Sequence, residues 1–368
     1  MTDKHPTRFS STYELAKLPW FERRGDLLTL DPAVGPVIDV HTHLALTYGR
    51  RTSVDLDASP RATEHYLPMA HELDLDPYCN RNFTDDDLFT LKVDLSLKSV
   101  TRTGMRETHT AANLLAEMKA LNITHSVLLP IDFPMFSWNS ETFIETAQRY
   151  DGLVSTSGVH PHKKDALRVL EHHAAAGARG LKMHPAVQML PPDHPKAMAL
   201  YGACGELGLP IMWHGGPVGI ESSRARERCQ LKHYWKAVHD FPGTTFIFGH
   251  SGALQYDMAI QLAKVYPNVW LELASQGIAG TRRILAEAPV ERIMQGSDWP
   301  FYPLAISIAK ALIATEGMPT ERRLILHDNA ARLYGLETAR AQQQPERASA
   351  GNGNGSKIVH PSTRTAAA

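Results

Sequence analysis

A histidine pair and a nearby aspartate end the first apolar run of the chain, in the segment Asp39-Val40-His41-Thr42-His43. Alternate side chains of a strand share a face, so we expect Asp39, His41 and His43 to lie together while Val40 and Thr42 face the helices. Two imidazoles spaced in this way can bind one borderline cation such as Zn²⁺, Fe²⁺ or Mn²⁺. Because His-x-His is a short pattern, it is a weak signal by itself.

Three more polar residues stand where later apolar runs end. His214 ends LPIMWHGG, His250 ends TTFIFGHSG and Asp298 ends ERIMQGSDWP. A buried imidazole or carboxylate without a partner is costly, so each of these groups needs one. A single metal ion can serve all of them together. The alternative is a set of independent strand-end caps, and the shared position of the residues favours the metal.

The elements that must position these residues follow from the alternation of apolar runs with amphipathic segments. The eight predicted strands are residues 35–43, 123–131, 153–161, 178–185, 209–216, 244–252, 268–275 and 291–300. Predicted helices include residues 112–121, 163–176, 196–207, 224–240, 254–265, 281–288 and 303–316. This α/β pattern favours a (β/α)₈ TIM barrel with the polar residues at its C-terminal mouth. An open doubly wound sheet is the alternative, because a strand count does not establish closure.

Three segments surround or interrupt the predicted barrel of residues 35–336. Residues 1–34 form an N-terminal extension, and residues 337–368, rich in Ala, Gln, Asn and Gly, are predicted to be a disordered tail. Residues 44–110 form a long insertion after the first strand, which we predict to be a lid or substrate loop. A floppy, solvated insertion is the alternative. The acidic run 85–87 is predicted to be a solvated turn.

The composition excludes several other classes of protein. The 368 residues are 43% apolar and carry 38 basic against 39 acidic side chains, so the chain can bury a core and offers no basic excess for nucleic acid. Three separated cysteines argue against a disulfide scaffold or a thiolate zinc site. No apolar run has the length of a signal peptide or membrane span. We expect a cytoplasmic protein with a small-molecule substrate, without nucleic-acid or membrane partners, that can form a homo-oligomer.

Seven motifs resemble the amidohydrolase superfamily, and within it the amidohydrolase-2 proteins, which include aminocarboxymuconate-semialdehyde decarboxylase-like enzymes. The motifs, in order over about residues 36–336, are VIDVHTH, GVHPH, GLKMHP, PIMWHGGP, FIFGHSGA, QGSDWPF and DNAARLYGL. The resemblance implies a metal-dependent barrel whose ion is bound by His41, His43, His214 and Asp298. It also implies that His250 lies beside the ion as an acid, a base or a transition-state stabiliser.

The fourth predicted strand carries Lys182 and His184 on one face. In superfamily members with two ions, a carboxylated lysine on this strand bridges them. In the amidohydrolase-2 subgroup one ion is more usual, and the resemblance then implies that Lys182 contacts the substrate or a ligand. A solvent-exposed lysine is the third alternative. His160 and His162 end the third predicted strand, and each either lines the barrel mouth or caps a loop.

The predicted reaction is hydrolysis of a small amide, lactone or ester by a metal-activated water. Asp298 would take the water proton and His250 would stabilise the oxyanion. Non-oxidative decarboxylation of a small carboxylic acid is the first alternative, and a non-catalytic metal-binding barrel is the second. We predict one Zn²⁺, with Mn²⁺ or Fe²⁺ as alternatives, and consider a second ion less expected.

Overall fold

A computed structural model of the chain describes residues 4–336, so the predicted disorder of residues 337–368 lies outside the described residues. Eight parallel strands in the described range are numbered β1 to β8 along the chain. They are β1 Val37–Thr42, β2 Ile123–Leu128, β3 Leu153–Ser155, β4 Leu181–Met183, β5 Ile211–His214, β6 Phe246–Gly249, β7 Val269–Glu272 and β8 Ile293–Met294. Each strand lies inside a segment that the sequence predicted, and each is shorter, because the polar ends of the apolar runs leave the sheet.

The strands form two parallel ladders, β1-β2-β3 and β4-β5-β6-β7-β8. Parallel bridges between Ser157 and Leu181 and between Thr42 and Trp299 join the edges of the two ladders. The amide of Lys182 donates to the carbonyl of Ser157 at 2.6 Å, and the amide of Val40 donates to the carbonyl of Gln295 at 3.1 Å. Backbone hydrogen bonds therefore link the eight strands in a ring, which is the arrangement of a (β/α)₈ barrel.

Twelve α-helices in the described part of the chain surround or precede these strands. They are α1 Asp85–Leu95, α2 Ala111–Ala120, α3 Asn139–Ala147, α4 Ala166–Ala175, α5 Pro195–Glu206, α6 Ser223–Arg228, α7 Trp235–Asp240, α8 Tyr256–Val265, α9 Ile278–Glu287, α10 Leu304–Ala314, α11 Pro319–Arg323 and α12 Asn329–Tyr334. The predicted helix 224–240 is two α-helices, because the backbone of Gln230, with φ −59° and ψ 131°, is not helical between them. Helix α3 was not among the predicted patterns. No helix of residues 4–336 is both long enough and apolar enough to cross a membrane.

The N-terminal extension and the insertion pack together. Strand Arg8–Phe9 of the extension pairs antiparallel with strand Leu73–Asp74 of the insertion, and strands Phe21–Arg24 and Leu27–Leu30 of the extension form a hairpin. Several apolar insertion residues are buried in the same core as residues of α2 and α10: Val54, Leu56, Leu67, Leu73 and Leu75. The alternative of a floppy, solvated insertion is therefore wrong, since this buried apolar surface holds the insertion in place.

The prediction of a solvated turn at residues 85–87 is wrong about the turn, although Asp85 and Asp86 are exposed to solvent. These three aspartates form the first turn of α1. The Thr84 hydroxyl accepts from the Asp87 amide, and the Asp87 carboxylate accepts from the Thr84 amide, which completes a capping box. Acidic side chains in a first turn also interact favourably with the helix dipole, so the run begins a helix instead of interrupting one.

The alternation predicted for β1 fails at its centre. The pairing of β1 with β2 shifts register between Asp39 and Thr42. Val40 lies in an apolar cluster with residues of neighbouring strands and of α12, and does not face the outer helices as predicted. Asp39 Oδ1 accepts from the amides of His41 and Ser297, both at 3.0 Å. The irregularity breaks the two-residue period of the strand, so Asp39 does not share a face with the histidines as predicted. Its carboxylate instead joins the backbone of β1 to the segment after β8.

Candidate metal and catalytic centre

The C-terminal ends of the barrel strands bring the predicted polar residues together. His41 lies near the end of β1, and His43 follows it directly. His214 is the last residue of β5, His250 follows β6, and Asp298 follows β8. Neighbouring parallel strands keep these ends level, as the pairing of Gly249 with His214 illustrates. The common position of the residues along their strands therefore becomes a common position in space.

Three of the predicted ligands converge on one point. Oδ1 of Asp298 lies 3.3 Å from Nε2 of His43 and 3.5 Å from Nε2 of His41. The donor atoms of these three residues all lie within 4.8 Å of one another. Two imidazoles and a carboxylate are a donor set that suits Zn²⁺, Mn²⁺ or Fe²⁺.

Hydrogen bonds fix the tautomer of both histidines. Nδ1 of His43 lies 2.7 Å from the carbonyl oxygen of Leu129, and Nδ1 of His41 lies 2.9 Å from Oε2 of Glu272. The Leu129 carbonyl can only accept, and the Glu272 carboxylate accepts when it is ionised, so both contacts favour the hydrogen on Nδ1 and leave a lone pair on Nε2 for an ion. Ligating histidines are oriented by partners of this kind, so the three residues fit a metal ion.

Glu272 is a residue of the site that the sequence reasoning missed. It is buried at the end of β7, and Oε2 also accepts from the His250 amide at 2.9 Å. Oε1 accepts from the amide of Ala274. Burial raises the pKa of the Glu272 carboxyl, against the lowering effect of these backbone donors, and a cation held by His41 would favour the ionised form. A single acidic residue in the apolar strand NVWLELAS was the signal that could have identified it.

His250 lies beside the ligand group, and several bonds hold it. Its ring centroid is 4.9 Å from that of His41 and 4.9 Å from that of His214. Nδ1 lies 3.3 Å from the carbonyl oxygen of Ala274, so the neutral ring has a free lone pair on Nε2. Burial lowers the pKa of His250 to about 4, which keeps the ring neutral near pH 7. His250 and Asp298 have φ values of 57° and 65°, a region that few residues other than glycine adopt.

Lys182 reaches the same point from β4. Its side chain is buried, and Nζ lies 3.3 Å from Nε2 of His41. Burial lowers the pKa of Lys182 to about 8, while Asp298 and Glu272 act in the opposite direction. The third alternative for this residue, a lysine extending into solvent, is wrong because the side chain is enclosed at the barrel mouth.

His214 and His184 form an adjacent wall of the site. Their rings are stacked, with centroids 4.0 Å apart and planes inclined by 6°. Burial lowers the pKa of both imidazoles, so both rings are neutral donors of a lone pair. Among the described residues, two groups of three have ligand atoms within 4.8 Å of one another, and they are His41, His43 and Asp298, and His41, His250 and Glu272. His214 belongs to neither group. The structure thus brings three of the four predicted ligands together and places the fourth beside them.

His160 and His162 lie away from this centre. Nε2 of His160 is 2.8 Å from the carbonyl oxygen of Gln188, and its Nδ1 accepts from the His162 amide at 3.0 Å. Backbone groups occupy both ring nitrogens, so His160 has no lone pair left for an ion. The sequence left open whether His160 lines the barrel mouth or caps a loop, and these contacts are those of a loop cap.

A cavity of about 210 Å³ opens on the centre. Apolar and aromatic side chains form most of its wall, and they include Leu46, Tyr48, Leu91, Leu95, Ile131, Val187, Val218, Ile220 and Phe301. The insertion supplies four of these residues, from Leu46 to Leu95, so the insertion covers the barrel mouth. Among the described residues that line the cavity, Lys182 is the only lysine or arginine. A small molecule with an apolar body and a few polar groups fits such a site.

The chain belongs to the amidohydrolase family, because the family model described as Amidohydrolase matches residues 38–336. This family is metal-dependent, and its members are enzymes. A search of curated proteins found no match to the chain.

Solved structures of the same fold include two 5-carboxyvanillate decarboxylases. An uncharacterised TIM-barrel protein from Bordetella bronchiseptica is 17% identical, with a TM-score of 0.56 over 82% of this chain and 98% of its own. A 5-carboxyvanillate decarboxylase from Sphingomonas paucimobilis is 17% identical, with a TM-score of 0.56 over 82% of this chain and 99% of its own. The 5-carboxyvanillate decarboxylase from Novosphingobium aromaticivorans, complexed with manganese and 4-hydroxy-3-methoxy-5-nitrobenzoic acid, is 14% identical, with a TM-score of 0.58 over 85% and 100%. The predicted TIM-barrel fold is thereby confirmed.

Proposed function

We propose that this protein is a metal-dependent decarboxylase that removes CO₂ from a small carboxylic acid, with an aromatic ring as the best fit. The observation that carries the proposal is the cavity, in which an apolar wall meets His41, His43, Asp298 and the buried cation of Lys182. An apolar enclosure disfavours a carboxylate more than it disfavours neutral CO₂, so it favours release of CO₂ once the carbon left behind has taken up a proton. The two decarboxylases of the same fold support this choice.

His41, His43 and Asp298 would hold the ion, and His214 is the proposed fourth ligand. A divalent ion bound there would supply a Lewis acid that stabilises negative charge on the oxygens of the substrate. We predict one ion, Zn²⁺, with Mn²⁺ and Fe²⁺ as alternatives; the manganese in the Novosphingobium enzyme supports the first alternative.

The residues of this chain then have separate tasks. The ammonium group of Lys182 orients the carboxylate, and the apolar wall keeps water from the reacting carbon. When the bond between that carbon and CO₂ breaks, its electron pair stays on the carbon, which must take up a proton. We propose that His250 delivers it, because Nε2 can first take a proton from water or a substrate hydroxyl and then donate it.

Hydrolysis of an amide, lactone or ester is the second candidate, because Asp298 has an oxygen beside both ligand histidines and can take a proton from water. The sequence and its resemblance to amidohydrolases favour this reaction first, through a metal-activated water. The apolar cavity is the reason that we now favour decarboxylation over hydrolysis. The cytoplasmic location and the homo-oligomer stay predictions.

The test is a substrate panel with purified protein loaded separately with Zn²⁺, Mn²⁺ and Fe²⁺. Benzoates with hydroxyl, methoxy or amino groups are assayed for CO₂, and amides and lactones of similar size are assayed for acid release. Release of CO₂ with formation of the decarboxylated ring supports the proposal. Acid release without CO₂ would refute decarboxylation and support hydrolysis. Tightly bound metal without turnover of any compound would support the alternative of a non-catalytic metal-binding barrel.

A further inference from the structure

A carboxylate oxygen without a partner lines the same cavity, on the loop between β5 and α6. The side chain of Glu221 is only 9% exposed, and its Oε2 is buried without a hydrogen-bond donor among the described residues. Glu221 is one of the residues that line the cavity. An acceptor of this kind is costly to leave unpaired, so its presence at a binding cavity points to a ligand that supplies the donor.

The other oxygen of Glu221 holds the carboxylate in place. Oε1 accepts from the amide of Val218 at 3.2 Å and lies 3.6 Å from Nε of Arg226. The side chain of Arg226 is 48% exposed, so solvent screens this ion pair and leaves the negative charge of Glu221 largely available to the cavity.

Contacts with two other segments fix the loop that carries Glu221. The Val218 carbonyl accepts from Nδ2 of Asn80 at 3.0 Å, and Oδ1 of Asn80 accepts from the Tyr302 hydroxyl. The loop is thereby tied both to the insertion and to the segment after β8. An acceptor on such a support is preorganised and needs little ordering when a ligand arrives.

We propose that Glu221 determines substrate specificity by accepting a hydrogen bond through Oε2 from a hydroxyl or amino group of the substrate. Lys182, the one lysine or arginine among the described residues that line the cavity, is not the missing donor to Oε2 of Glu221, because its Nζ is in contact with His41. The carboxylate of the substrate would be repelled by Glu221, so it binds at the metal and Lys182 while the donor binds at Glu221. This arrangement fixes the orientation of the substrate and names its class, a small acid that carries a donor away from its carboxylate. The inference rests on the proposed function.

Calorimetric titration of the metal-loaded protein with benzoate and its hydroxy and amino isomers tests the inference. At least one isomer should bind the wild type about tenfold more tightly than benzoate, the usual scale for a hydrogen bond to a charged acceptor. In Glu221→Gln that preference should fall below about threefold, while benzoate binds no more weakly than it does to the wild type. The hydroxy and amino arms identify which donor is preferred. Glu227→Gln is the matched control, because it removes the same charge from the exposed surface of α6.

An equal preference in wild type and Glu221→Gln, or no isomer that binds better than benzoate, would overturn the inference. Circular dichroism and metal content confirm that each variant is folded and loaded. Assaying the same compounds for CO₂ separates the two claims. CO₂ release with a preference independent of Glu221 refutes the inference alone, whereas a Glu221-dependent preference without CO₂ release refutes decarboxylation and leaves the binding assignment intact.

Discussion

Nδ1 of His41 and Oε2 of Glu272 lie 2.9 Å apart, although 231 positions separate the two residues in the chain. This contact joins β1 to β7 and sets the tautomer of a proposed metal ligand. A carboxylate behind a ligating histidine orients the ring and raises its basicity. Glu272 is thus a positioning residue for the ion.

Replacing Glu272 with Gln should therefore weaken metal binding. We expect the Kd for Zn²⁺ to rise about 10- to 100-fold, since the glutamine is a weaker acceptor for His41 and carries no charge. Competition with a chromogenic chelator measures this Kd. Glu287→Gln, on the outer helix α9, is the control and should bind like the wild type. Unchanged affinity in Glu272→Gln would show that the contact only supports the fold.

His250→Ala should separate catalysis from metal retention. If His250 delivers the proton, the variant keeps most of its metal and loses about 10²- to 10⁴-fold in kcat. Elemental analysis and a CO₂ assay on the same preparation measure both quantities. Turnover close to that of the wild type would assign His250 a structural role.

Lys182 distinguishes one ion from two. An ammonium group on this side chain cannot bridge two ions, whereas a carboxylated lysine can. We expect about one equivalent of metal, little effect of added bicarbonate, and a Lys182→Ala variant that keeps its metal but binds benzoates poorly. Two tightly bound ions, one of them lost in Lys182→Ala, would instead indicate a carboxylated lysine.

The insertion should affect substrate binding through α1. Leu95 lines the cavity, so Leu95→Ala should raise KM about tenfold through lost apolar contact while metal content stays the same. Leu97, two residues later, is 75% exposed and does not line the cavity, so Leu97→Ala is the matched control. Equal KM values in the two variants would show that α1 of the insertion does not contribute to substrate binding.

The sequence predicted the parts of the site that follow from strand ends. His41, His43, His214, His250 and Asp298 could be identified because each interrupts an apolar run at the same relative point. In a parallel barrel such points are neighbours, whatever their separation in the chain. The alternation of strands and helices predicted the barrel for the same reason.

Features that depend on contacts between distant elements were missed. Glu272 lies inside a predicted strand, and only the three-dimensional structure shows that His41 is its partner. The reversed orientation of Val40 depends on a register shift in β1, which alternation within one strand cannot reveal. The insertion is held by apolar contacts in the core and by pairing with the N-terminal extension, both of which join distant parts of the chain. Glu221 becomes significant only because its loop returns to the cavity.

The central claim is that residues at separate strand ends bind one metal ion. Its most direct test is elemental analysis of the wild type, His41→Ala and Asp298→Ala after identical loading and removal of free metal. His172→Ala, which removes an exposed imidazole on α4, serves as the control. We predict about one equivalent in the wild type and control and well below one in both ligand variants. Full occupancy in His41→Ala and Asp298→Ala would contradict the account.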